Sequence, residues 1–150
     1  MLKSHRKSMF SLQDLLIISA IFLLQACSQD VDVKHRDNET NRWYTQAQVE
    51  IGKAVFIENC ALCHGKQAQA DDNWRVANED GSYPAPPLNG SAHAWHHPFL
   101  MLKDTIEHGV NQGAMPAWKD KLNNQQIEAT IAWFVSHWPT KIYEAWRKRH

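Results

Sequence analysis

The sequence is short of cysteine, of long apolar runs and of any excess of one charge. Three cysteines in 150 residues, Cys27, Cys60 and Cys63, exclude a disulfide framework, since two of them lie within four positions. The longest apolar run, Leu15 to Leu24, has ten residues where a membrane-spanning helix needs about 20. Basic and acidic residues number 16 each. Setting aside Lys3, Arg6, Lys7 and Asp14 near the N-terminus leaves 13 basic against 15 acidic side chains. No basic stripe remains, which excludes nucleic-acid binding. The length suits one domain and is too small for two comfortable cores. A small domain without disulfides needs another source of apolar burial.

That source is indicated by Cys60-Ala61-Leu62-Cys63-His64. A Cys-x-x-Cys-His run supplies two thiols for haem vinyl groups and an imidazole for the iron. On one helical turn the two cysteines share a face, and the histidine beside the second reaches under the porphyrin. A redox dithiol would need a strand-helix-strand setting that is missing here, and a zinc site would need a second cysteine pair. The spacing therefore specifies one haem c, held by Cys60 and Cys63 and ligated by His64.

From these residues the chain resembles the class I c-type cytochromes, small helical carriers of a single haem. The resemblance covers about residues 45 to 146. It rests on Gly52 with Phe56, Cys60 to Gly65, Pro86 to Gly90, Met115-Pro116-Ala117 and Trp133-Phe134. It implies an all-α, cytochrome c-like fold of about three to five helices around one covalently attached haem. It also implies that the Pro86 carbonyl accepts a hydrogen bond from His64, that Leu88 packs on the ring, and that Phe134 or Trp133 faces Gly52 where the first and last helices cross.

Three segments are expected. Residues 1–26 have a basic start and a short apolar run, the layout of an export leader. Leu24-Gln25-Ala26-Cys27 resembles a bacterial lipobox, which implies lipidation of Cys27 and a periplasmic protein anchored to a membrane. Ser28 after that cysteine favours the outer membrane. Residues 27–44 form the lipidated cysteine and a polar tether, with Val31 and Val33 as the aliphatic residues of 28–42. Those fifteen residues reach at most roughly 50 Å extended and about 20 Å when flexible. His35 in this stretch reads as solvated. Residues 45–150 form the haem domain.

Within the domain, Thr45 to Gln48 has the form of a capping box, and Val49, Gly52, Phe56 and Cys60 share a helical face. Lys66 to Tyr83 reads as a polar loop around a lone Trp74, followed by a stiff run with Pro84, Pro86 and Pro87 and an Asn89-Gly90 turn. Phe99 to Ile106 suggests a short helix closed by Gly109, with Met101 as a pliable core filler. Met115, on a loop stiffened by Pro116, suits the sixth iron position, its rivals being His108, other loop histidines and Met101, and a Met–His pair raises the reduction potential over two histidines. Asn123 to Gln126 caps a helix that presents Ile127, Ile131 and Phe134 inward and stops at Trp138-Pro139. Ile142, Tyr143 and Trp146 suggest a last turn or two folded back on the domain. The seven tryptophans read as packing around haem and helices. Were 93–97 helical, His93, His96 and His97 would share a face that suits a second metal, although Pro98 limits such a helix.

Six occupied iron positions leave none for a substrate, which argues against an enzyme. The expected function is one-electron transfer between redox proteins of the bacterial envelope, a respiratory donor and a terminal oxidase or other acceptor, by a tethered monomer. The alternatives are a haem enzyme or gas sensor with a displaceable Met115, or a fixed cytochrome subunit of a larger oxidoreductase.

Overall fold

The computed structural model describes residues 41–110 and 114–150. The leader, Cys27, Ser28, His35 and most of the tether lie outside those residues, as does Gly113 before the methionine loop. Among the described residues the fold is five α-helices with no strand: α1 (Gln46–Asn59), α2 (Ala61–His64), α3 (Phe99–His108), α4 (Asn124–Ser136) and α5 (Thr140–Arg149), plus a 3-10 turn at Ala94–His96. This is the all-α architecture expected.

α1 begins where the sequence marks it. The Thr45 side chain accepts from the Gln48 N–H, and the Gln48 side chain accepts from the Thr45 N–H, so two orphan donors are satisfied reciprocally. Asn123 and Gln126 repeat the arrangement at the start of α4. α1 and α4 form the principal helix pair. They approach so closely at Gly52 that a Cβ there would overlap the Ala129 carbonyl. The close crossing was expected, but its partner is corrected. Gly52 meets the backbone at Ala129 and Thr130, and the aromatic residue lies one turn on. Trp133 packs on the fully buried Phe56, ring centroids 4.3 Å apart. A backbone approach leaves no space for a ring between the two helices at Gly52 itself.

α4 is the centre of the core, with Ile131, Ala132 and Val135 wholly inaccessible to solvent. α3 lies against it and is pinned by the Lys103–Glu128 ion pair at 2.8 Å. Leu102 and Ile106 supply the buried face of α3. Met101, expected in the core, is instead 50% exposed, because the face of α3 centred on Leu102 and Ile106 turns it outward.

Two boundaries differ from expectation. The C-terminal segment is a ten-residue helix and not a turn or two. Pro139 presets its entry, and Tyr143 and Trp146, three residues apart, are both buried beneath it. The packed unit also reaches back to Arg42. The Trp43 N–H donates to the Tyr143 hydroxyl at 3.1 Å, Tyr44 is buried, and the Arg42 guanidinium lies 3.8 Å over the Tyr143 ring. A long-range partner 100 positions away claimed these residues from the tether. Among the described residues no helix is long and apolar enough to cross a membrane.

Candidate haem-binding site

Cys60 ends α1 and opens the single turn of α2, and the His64 N–H returns to the Cys60 carbonyl at 3.0 Å. That turn carries both thiols and the imidazole. Cys63 is exposed and Cys60 half-buried. Burial pushes the Cys60 thiol up to about 11, with Cys63 adding repulsion. Both sulfurs are thus unpaired thiols on one turn, as thioether formation requires. Leu62 between them is 98% exposed.

His64 is buried, 8% exposed. Its Nδ1 lies 2.9 Å from the Pro86 carbonyl, so in the tautomer that donates there Nε2 is left for a metal. Burial lowers its pKa and the Pro86 hydrogen bond opposes the shift, so the net direction favours the neutral, ligating imidazole. The residues that hold Pro86 were only partly visible beforehand. Gly65 turns the chain at φ +74°, and the Ala70 N–H bonds the His64 carbonyl at 2.8 Å. Buried Ala68 sits at φ +54° and its carbonyl accepts from the N–H groups of both Leu88 and Asn89. A left-handed alanine costs roughly 1 kcal/mol, which the paired hydrogen bonds offset. The Leu88 carbonyl in turn accepts from the Trp138 indole at 2.8 Å. Nothing in the local sequence marks Ala68. The sequence marks Trp138 as the end of a helix and does not show its bond to Leu88.

Leu88 is half-buried against the core, and so is Met115. The Met115 loop is fastened to the end of α3. The Val110 N–H donates to the Met115 carbonyl at 3.1 Å, and the Trp118 N–H returns to Ile106 at 3.1 Å. Gly109, at φ +74°, lies where a Cβ would press on the Met115 carbonyl and the Ala117 nitrogen. The glycine closes the helix as expected and also makes room for the loop.

The donor set fits a haem: two thiols and an oriented neutral imidazole on one turn, with a half-buried thioether on a tethered loop. The second-metal option for His93, His96 and His97 fits poorly. The turn is 3-10, His97 is already extended, and their donor atoms do not converge. Among the described residues the converging group is Asp104, Glu107 and His108, within 4.8 Å of one another, with the Lys103 ammonium 3.9 Å from Glu107.

The family model of cytochrome c oxidase, cbb3-type, subunit III, matches residues 47–134, which contain Cys60, Cys63, His64, Pro86, Leu88 and Met115. The CcoP subunit of a cbb3-type cytochrome c oxidase from Azospirillum brasilense is 39% identical over 83 residues, 55% of this chain and 26% of that one. Cytochrome c6 of Bryopsis maxima is 29% identical over 100 residues, 65% of this chain and 97% of the relative. Cytochrome c6 of Cladophora glomerata is 34% identical over 82 residues, 52% of this chain and 76% of the relative. The match thus spans about a quarter of the CcoP subunit and most of each cytochrome c6. No solved structure matches. By its motif, its helices and this match, the chain belongs to the class I c-type cytochromes, in the haem c domain family named for subunit III of cbb3-type oxidases.

Proposed function

We propose that this cytochrome is an electron carrier of the bacterial envelope, with one haem c attached through Cys60 and Cys63 and ligated by His64 and Met115. Bound haem supplies a one-electron Fe(II)/Fe(III) couple. The chain supplies the rest. The Pro86 carbonyl orients the imidazole, Leu88, whose carbonyl accepts from Trp138, would pack on the ring, and the α3 end holds the thioether. The observation that supports the reading is the 2.9 Å contact from His64 Nδ1 to Pro86, which leaves Nε2 for the metal in the tautomer that donates there. Export, lipidation of Cys27 and a place at a membrane, with the outer one favoured by Ser28, complete the proposal.

The acceptor or host is a terminal oxidase. Support comes from relatives that are subunits of cbb3-type cytochrome c oxidases, CcoP and FixP. A fixed subunit of such a complex is the second reading, favoured by the same relatives; co-purification in mild detergent separates it from a mobile carrier. The ligation is tested by the oxidised optical spectrum of the holoprotein beside Met115→Ala. A weak far-red sulfur-to-iron band, present in the parent and lost in the variant, is the expected result. Its absence from the parent, with CO binding to the reduced protein at neutral pH, would replace the carrier with a haem enzyme or gas sensor.

A further inference from the structure

The loop between α2 and the proline run carries groups that haem binding does not use. Trp74, Arg75, Tyr83, Pro84, Pro86 and His93 line an open cleft of about 340 Å³. The Arg75 guanidinium lies 4.3 Å over the Trp74 ring, whose other neighbour is the His93 ring at 5.9 Å. Val76 and Tyr83 are 61% and 60% exposed. Tryptophan, tyrosine and arginine grouped around one concavity are the residue types that dominate binding energy at protein interfaces. A loop whose only task was to connect two elements would not need them.

The loop that carries the cleft is net acidic, although Arg75 itself lines it. Asp71 and Asp72 belong to the turn that presents Trp74, whose N–H donates to the Asp71 carbonyl at 3.2 Å. Asp80 accepts from the N–H and hydroxyl of Ser82, which holds it beside Tyr83. With Glu79 these make four carboxylates between Lys66 and Tyr83, against two cations, Lys66 and Arg75. Among the lining residues is Pro86, whose carbonyl accepts from His64. A molecule seated in the cleft is therefore one residue and one hydrogen bond from the proposed iron ligand.

We propose that this cleft is the docking surface for a basic redox protein, one that presents an apolar projection inside a ring of lysines and arginines. The inference rests on the carrier reading above. The projection occupies the space between Trp74, Tyr83 and Pro84, and the carboxylates steer its approach and set its orientation. One electron passes in the encounter: the ferrous protein is oxidised, the partner's metal is reduced, and no bond is made and no proton moves. The surface is small, as suits a transient electron-transfer complex.

The test uses the full holoprotein and, as probe, a basic blue-copper protein whose apolar copper edge is ringed by lysines. With both proteins reduced, so that no electron moves, NMR titration should shift the amides of Trp74, Arg75, Val76 and Tyr83 and the Trp74 indole, and added salt should reverse the shifts. With the copper protein oxidised, the stopped-flow rate should fall about tenfold in Trp74→Ala/Tyr83→Ala, relative to the rate with ferricyanide. It should also lose most of its salt dependence in Asp72→Asn/Glu79→Gln, whose carboxylates hold no loop hydrogen bond among the described residues. Shifts confined to Cys60–Gly65 and the neighbourhood of Met115 would overturn the proposal, as would equal losses with both oxidants. Binding of small aromatic cations without binding of the protein would overturn it too. Ferricyanide keeps the two readings apart. A parent protein that it cannot cycle cleanly defeats the carrier reading. One that it cycles normally, while the loop amides stay still, defeats the docking surface alone.

Discussion

His64 stands on a helical turn, buried, with Pro86 on its Nδ1, and two residues on, Leu88 is held by hydrogen bonds to Ala68 and from Trp138. Met115 is only half-buried, on a loop tied to the end of α3 by backbone hydrogen bonds. The proposed first ligand is held by side-chain and backbone contacts from separate stretches, the proposed second by the exit of a single helix. The difference teaches where each ligand's position comes from. A motif histidine must present one nitrogen at a fixed angle, so its second nitrogen is committed. A thioether has a flexible stem and accepts a range of approach angles, so a tethered loop suffices.

Gly52→Val should have the largest effect and removes both sides at once. The added side chain overlaps the Ala129 carbonyl, and forcing α1 from α4 should cost about 3 kcal/mol, read as a fall in thermal midpoint of the holoprotein. Retention of the parent midpoint would mean that the crossing is not close.

Gly109→Ala strikes the distal side alone. It places a Cβ against the Met115 carbonyl at a left-handed φ, and we expect about 2 kcal/mol of destabilisation with loss of the far-red sulfur-to-iron band. Haem staining of the denatured protein should remain, since Cys60, Cys63 and His64 are untouched. An intact band would show that the loop is held by something other than the α3 end.

Trp138→Phe strikes the proximal side alone. It deprives the Leu88 carbonyl of its donor, a loss of about 1 kcal/mol, and should leave the far-red band in place. A vanished band would break the comparison, because it would mean that the two sides are coupled.

His97→Gln should have the smallest effect. Burial, then the charges of His93, His96 and His150, hold the His97 imidazole below its usual range, while its carbonyl takes the Trp146 indole N–H. The unfolded chain therefore binds this proton first. The stability tied to neutral His97 is present above about pH 6.5 and is lost as pH falls through the lower folded value. Denaturant unfolding between about pH 7 and pH 5 should show a shallower decline in the variant, and an unchanged decline would assign the slope to other groups.

The legible parts were those written in neighbouring residues. Both capping boxes, the motif turn and the glycine that closes α3 each depend on contacts within a few positions, and each stands where the sequence marks it. The Pro86 contact was legible through the family element that Pro86 and Leu88 carry. What meets Gly52 was not, because a backbone carbonyl leaves no signature in side-chain identity. Met101 was misplaced because an apolar residue on a short helix can face either way until a neighbour claims one face. Ala68 was silent because its left-handed turn is stabilised by Leu88 and Asn89, some twenty positions away.

The sequence alone determined the local elements: two thiols and an imidazole on one turn, a thioether on a proline-stiffened loop, and the caps that start α1 and α4. These are local, since covalent spacing and helical period decide them before any packing occurs. Tertiary structure decided that the Ala129 backbone meets Gly52, that Arg42, Trp43 and Tyr44 join the domain, that Trp138 bonds the Leu88 carbonyl near Pro86, and that Trp74 and Tyr83 line a cleft with Pro86. Each of these joins residues far apart in the chain, and their contact energies exist only once the core has brought them together.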